Sequence, residues 1–224
     1  MPHPLSHIDT WIFDLDNTLY PASCDLFAQI DVNMGQFIMD LLDVDAAEAR
    51  VVQKGFFHAH GMTLRGLMND HGVDPRTFLD KVHDIDLSPV AHDAELVAAM
   101  AALPGRKLIF TNADVDYATR VLEKLGLADS FEAIHDIHAA DYRPKPDAHA
   151  YDLLCKTYAI APAKALFVED MARNLAPAKA IGMTTVWIDN GSEQGPGEAR
   201  DFIDFIIPDL GPWLANVAKE LETA

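Results

Sequence analysis

Positive charge is the scarcest feature of this chain. Its 224 residues carry 17 Lys and Arg against 35 Asp and Glu, a formal net charge of −18 at pH 7. Polymeric nucleic acid is bound mostly by Lys and Arg neutralising phosphates, and anionic membranes attract the same residues, so both partner classes are disfavoured. Small phosphorylated molecules remain admissible, because one metal ion and a few local cations can outweigh a distant, screened acidic surface. Cysteine is nearly absent. Cys24 and Cys155 make neither a disulfide framework nor a tetrahedral metal site, and a reducing cytoplasm is the expected compartment. No apolar run reaches the roughly 18 residues a membrane span needs. The opening Met-Pro-His-Pro-Leu-Ser-His has neither a basic region nor an apolar core, so no secretion signal is expected there. Repeats and low-complexity tracts are also missing. The stretch 191–197 is glycine-rich, but no Lys-Ser or Lys-Thr follows it, which excludes a phosphate-binding P-loop.

Half of the residues are apolar, enough for a full core in one domain, or in one domain carrying an insertion. Trp11, Ile12 and Phe13 read as a short buried strand, and further strands are predicted at about 107–111, 131–135, 165–168, 184–188 and 204–207. Between them the pattern predicts helices over about 114–125, stopped by Gly126, and 146–158, opened by Pro146. Two more are predicted at 175–181, with Asn174 as N-cap and Pro177 in its first turn, and at 212–221. Such alternation predicts an α/β fold, a three-layer, Rossmann-like parallel sheet with helices on both faces. Residues 21–100 break the rhythm, with no clear strand and amphipathic stretches at about 25–42, 46–69, 76–82 and 93–101. A helical block directly after the first strand predicts an all-helical cap at 21–100 inserted into a core of 1–20 and 101–224. A core layer of helices is the plainer alternative, and the last of the four is a candidate to return to the core.

The first strand ends abruptly in Asp14 and Asp16. Ligands of open α/β sheets sit just outside the carboxyl ends of the strands, so both acids fall where chemistry is usually done. Held at roughly 4 Å in an effective dielectric of about 20, two carboxylates repel by on the order of 4 kcal/mol unless a cation or proton intervenes. A divalent metal beside a reactive Asp is the simplest reading, and a polar turn is the plainer one. Three later segments carry polar groups. Thr111 and Asn112 follow Leu108-Ile109-Phe110 and lead into a helix whose free N–H groups suit phosphate oxygens, although both residues also cap helices. Lys145 lies between Pro144 and Pro146, which stiffen the backbone and aim its ammonium, although a lone lysine in a turn is commonly just solvated. Leu166-Phe167-Val168 runs into Glu169 and Asp170, repeating the grammar of the first strand.

Taken in order, Asp14-Leu-Asp16-Asn-Thr18, Thr111-Asn112, Lys145 and Glu169-Asp170 resemble the four motifs of the haloacid dehalogenase-like superfamily. The resemblance covers nearly the whole chain, including the position of the helical insertion. Asp at the position of Asp16 is similar to the phosphatase and mutase branch, and dehalogenases lack it. Asp16-Asn-Thr-Leu-Tyr20, His60-Gly-Met-Thr-Leu-Arg-Gly-Leu-Met68 and Val82-His-Asp-Ile-Asp-Leu-Ser88 further resemble the bacterial and fungal pyrimidine 5′-nucleotidase group. Glu169 is a departure, since many members of that group carry two aspartates there.

What the resemblance implies is a phosphomonoesterase acting on UMP-like or CMP-like nucleotides, with Mg2+ as cofactor. Asp14 is then the nucleophile, and Asp16 protonates the leaving oxygen and afterwards activates water. Its backbone carbonyl also meets the metal. Asp170 is a carboxylate ligand, and Glu169 either a second ligand or the partner of Lys145. Thr111, Asn112 and Lys145 bind the phosphoryl group, and Thr18 fixes the turn. Arg65, Lys54, His58 and His60 are the polar candidates of the insertion near a break at Gly61. The two histidines, two apart, fall on different helix faces with no acid cluster beside them and read as ordinary residues. Met62, Phe56 and Phe57 read as core rather than as base-stacking contacts. The rival functions are a sugar-phosphate phosphatase or phosphomutase, and a non-catalytic nucleotide-binding protein.

Overall fold

The computed structural model describes residues 3–191 and 200–223, so most of the glycine-rich stretch 191–197 lies outside the described residues. The chain divides into two units, Met1–Ser23 with Val90–Ala224, and Cys24–Pro89.

The first unit holds a parallel sheet of six strands: β1 (Thr10–Phe13), β2 (Arg106–Phe110), β3 (Ala133–His135), β4 (Ala165–Glu169), β5 (Thr184–Ile188) and β6 (Phe205–Ile207). Their order is β3-β2-β1-β4-β5-β6. The chain builds outward from β1 to one side through β2 and β3, then crosses back and builds to the other side from β4. β1 thus sits at the point where strand order reverses, flanked by β2 and β4 in parallel register. In open α/β sheets that point opens a crevice beyond the strand ends.

Both faces of the sheet are buried, which is why the strands read as continuous apolar runs rather than as alternating ones. Ile12, Leu108, Phe110, Phe167 and Trp187 share one core cluster with Tyr151, Leu154, Leu175 and Ala178. The opposite parity, including Trp11, Phe13, Ile109, Leu166 and Val168, is buried too. The helices of this unit are α5 (Ala94–Ala102), α6 (Val115–Leu125), α7 (Ala148–Thr157), α8 (Ala172–Ala180) and α9 (Leu210–Thr223). The α5 helix packs along α9, so this unit resumes at Val90 and not at 101. Asp93 caps α5 through Leu96 N–H at 2.9 Å.

Helix α8 begins three residues earlier than its cap signal suggests. Asn174 is not its N-cap but lies buried within the first turn, and Pro177 stands in the helix interior. Local capping preference loses here to burial of Ala172, Leu175 and Ala178 against the sheet.

The second unit is four helices: α1 (Leu26–Leu42), α2 (Ala46–His60), α3 (Thr63–His71) and α4 (Pro75–Val82). The single helix expected over 46–69 is two. Gly61 ends α2 with a left-handed φ of 75°, its N–H on Phe57 O, and Met62 is extended. Phe37 and Phe78 join α1 to α4 edge to face at 5.0 Å. Gly66 brings α3 against the Phe56 ring, where an added Cβ would lie 2.2 Å from Cγ.

Candidate active site

Every strand end singled out above belongs to the first unit. Asp14 follows β1 directly, still tied to the sheet by its N–H to Val168 O at 3.0 Å. Its carboxylate is 6% exposed and its Oδ1 accepts from Lys145 Nζ at 2.6 Å. Lys145 Nζ also donates to Glu169 Oε2 and to Phe110 O, each at 2.8 Å. All three ammonium protons are therefore used, and the charge is aimed rather than solvated. The rings of Phe110 and Phe167 flank it with centroids 5.1 and 5.3 Å away.

The position of Lys145 rests on Asn112. Asn112 Oδ1 accepts from Lys145 N at 2.8 Å, and its Nδ2 donates to Lys145 O at 3.3 Å. Both ends of that amide hold a backbone, so Asn112 sets the lysine where the sequence had offered it to phosphate. Thr111 is buried, and its Oγ1 accepts from Ala113 N at 3.0 Å. The N–H of Thr18 reaches Leu15 O at 3.3 Å, while its Oγ1 has no partner among the described residues, so backbone rather than hydroxyl shapes that turn.

Glu169 and Asp170 close the group. Asp14, Glu169 and Asp170 are buried, and each offers a carboxylate oxygen within 4.8 Å of the others. Glu169 uses Oε2 for Lys145 and Oε1 for Met171 N–H at 3.2 Å. Burial, and then the neighbouring Glu169, push the Asp14 carboxyl up to about 7 against the pull of Lys145. Burial also pushes Glu169 up to about 7, Lys145 opposing and Asp170 adding to the rise. For Lys145 burial works against the charge, but Asp14 and Glu169 outweigh it and hold its pKa above the usual lysine value. One ammonium thus serves two of the three buried acids, Asp14 and Glu169.

Asp16 is half-buried and stands apart from that cluster's hydrogen bonds. Its Oδ1 accepts from the hydroxyls of both Tyr20 and Tyr117, the latter at 2.8 Å. Sequence reasoning missed both phenols. Tyr20 lies only four residues from Asp16, whereas Tyr117 comes from α6, 101 residues on, and no local signal links it to Asp16. Asn190, equally unforeseen, donates from Nδ2 to Asn17 O at 2.6 Å. Lys54 and His58 are exposed one turn apart on α2, and Arg65 and His60 are half-buried on α3 and α2. All four belong to the second unit.

The description haloacid dehalogenase-like hydrolase fits residues 8–182 of this sequence as a family match. The chain belongs to that family. Among related hydrolases, a phosphoglycolate phosphatase of Rhodospirillum rubrum is 30% identical over 223 residues, 91% of this chain and 89% of its own length. Phosphate metabolism protein 8 of Saccharomyces cerevisiae is 26% identical over 202 residues, 82% of this chain. The match spans 62% of the yeast protein, under two thirds of its length. The crystal structure of a HAD phosphatase from Thermococcus onnurineus shares the fold, with a TM-score of 0.63 at 17% identity over 96% of this chain and 98% of that one. The four motifs read from the sequence thus lie in a hydrolase of this family, on its parallel α/β fold.

Proposed function

We propose that this hydrolase is a Mg2+-dependent phosphomonoesterase that passes phosphate through an aspartyl phosphate on Asp14. The observation that carries the reading is the contact of Asp14 with Lys145 at 2.6 Å, in a buried site at the strand-order reversal. A carboxylate held by a fully committed ammonium is aimed for attack on phosphorus. Asp16, two residues on, supplies a proton to the departing alcohol and then takes one from the water that hydrolyses the aspartyl phosphate. Lys145 offsets charge on the phosphoryl group, with Thr111 and the backbone N–H groups beyond it as further donors.

Three buried carboxylates whose oxygens lie within 4.8 Å of one another form an all-oxygen donor set that suits a hard cation such as Mg2+. Asp14 and Asp170 would hold it with the backbone carbonyl of Asp16, while Glu169 stays with Lys145. Such an ion supplies positive charge beside the transferring phosphoryl oxygens.

The helical unit is assigned the role of a cap that selects substrate, with Arg65, His58 and Lys54 as its polar candidates. Pyrimidine nucleoside 5′-monophosphates are the preferred substrates, on the likeness of Asp16–Tyr20, 60–68 and 82–88 to the nucleotidase group. A sugar-phosphate or other small phosphorylated substrate is the second reading, supported by the phosphoglycolate phosphatase relative. The test is phosphate release from UMP, CMP, purine nucleotides, sugar phosphates and phosphoglycolate, each with Mg2+ or EDTA. Release confined to UMP and CMP, lost in EDTA and abolished in folded Asp14→Asn, is expected. Turnover by Asp14→Asn equal to wild type would sink the mechanism, and preference for phosphoglycolate would replace the substrate.

A further inference from the structure

Asp16 is held on one side only. Tyr20 and Tyr117 both direct their hydroxyl protons at Oδ1, and the two hydroxyl oxygens lie 3.3 Å apart. Asp16 Oδ2 has no hydrogen-bond partner among the described residues. Both phenols are buried, Tyr117 completely. Their own placement is rigid. Tyr20 closes the turn that leaves β1, and Tyr117 sits in the first turn of α6, where its N–H is bound by the N-cap Asp114 Oδ1 at 2.8 Å.

An oxygen that already accepts two hydroxyl protons is a poor site for a third. We propose that Tyr20 and Tyr117 are positioning residues that anchor Asp16 through Oδ1, reserving Oδ2 as the atom that carries the mobile proton. The inference rests on the phosphomonoesterase reading above and adds to it which oxygen reacts and what orients it. In the first step the bond from phosphorus to the alcohol oxygen breaks and the bond from phosphorus to Asp14 forms, while the Asp16 Oδ2 proton moves to the alcohol. In the second, water forms the new bond to phosphorus, the Asp14–phosphorus bond breaks, and the water proton returns to Oδ2. Ester and water become alcohol and inorganic phosphate, and Asp16 ends as it began.

The test compares two leaving groups by kcat/KM, which reports only the steps up to loss of the alcohol. An alkyl phosphate such as UMP needs its leaving oxygen protonated, whereas p-nitrophenolate departs without help. In Tyr20→Phe and Tyr117→Phe, kcat/KM for UMP should fall about tenfold or more, a part of the roughly 10²–10⁴ that positioned proton transfer supplies. For p-nitrophenyl phosphate it should stay within about twofold of wild type, because the nucleophile and Lys145 are untouched. If UMP is not a substrate, the alkyl phosphate that the panel selects takes its place. Equal falls on both substrates would mark a merely structural role, and no fall on either would also overturn the proposal. Each tyrosine is tested singly, so one misfolded variant leaves the other informative. Wild type inactive on every phosphate ester would instead remove the underlying reading, an outcome distinct from loss of the leaving-group split.

Discussion

At the scale of single residues, Lys145 is the group whose removal would be felt most. It is 4% exposed and is the ammonium that pairs with both Asp14 and Glu169. Lys145→Met keeps most of the volume but leaves two buried carboxylates facing one another, and breaking a buried pair from one side costs about 3–5 kcal/mol. A fall of that size in urea-unfolding stability is expected at pH 7 without added metal. Adding Asp14→Asn should recover about 1 kcal/mol or more, because coupled charges are not additive. Independent losses in the double-mutant cycle would show that the three groups do not share one charge balance. The lysine was legible in the sequence as a cation stiffened by two prolines. What the sequence could not give is the other half of its support. Asn112 reads as a cap or a phosphate donor, and only the packing of β2 beside Lys145 turns its amide onto the lysine backbone.

Among the elements, helices α2 and α3 offer the sharpest test, because there the usual sign of a substitution inverts. Gly→Ala inside a helix ordinarily stabilises by about 0.5–1 kcal/mol through propensity. At Gly66 a Cβ would meet Phe56 Cγ at 2.2 Å and Cβ at 2.6 Å, so the ring must move or the helices must part. Overpacking of this kind costs roughly 1–3 kcal/mol, and Gly66→Ala should lower the melting temperature accordingly. Phe56→Leu should rescue it in combination, whereas a stabilising Gly66→Ala would mean that α2 and α3 do not approach there. The strands were readable because a parallel sheet buried on both faces needs unbroken apolar runs, and their polar successors Asp14, Thr111 and Glu169 stand out against them. Helix ends were harder. At Asn174 the capping preference was real but burial placed the start earlier, and at Gly61 one amphipathic pattern ran across a left-handed break. Tyr117 shows the limit most plainly, since its tie to Asp16 exists only once β1 and β2 lie side by side.

For the whole molecule, charge balance decides how stability answers to metal and pH. If Mg2+ binds the acids, a concentration of about 100 times its Kd adds roughly 2.7 kcal/mol, and for a chain of this size that lifts Tm by about 5–10 °C. Thermal scans in Mg2+ and in EDTA should show that rise in wild type and its loss in Asp170→Asn, and identical scans in wild type would remove the metal from the site. The pH response without metal has opposing parts. Asp14 and Glu169, both raised to about 7, bind more protons folded than unfolded above their ordinary range, so they favour the fold as pH drops from 7 towards 4. His135 acts the other way. It is fully buried at the end of β3, edge to face with Phe110 and Tyr158, and neither ring nitrogen has a partner among the described residues. Burial, against the charge of Asp136, holds its pKa down to about 4 from 6.5. The unfolded chain therefore binds the extra proton between those values, and stability is lost as pH falls through that window, by about 3 kcal/mol once complete. His135→Leu isolates this contribution, because the carboxylates titrate alike in both proteins and an unpartnered polar ring gives way to an apolar side chain. Urea unfolding at pH 7 and pH 4.5 should find the variant at least as stable as wild type at the higher pH and ahead by a further 2–3 kcal/mol or so at the lower. A parallel shift of the two proteins between those pH values would mean that His135 takes up its proton without opening the core.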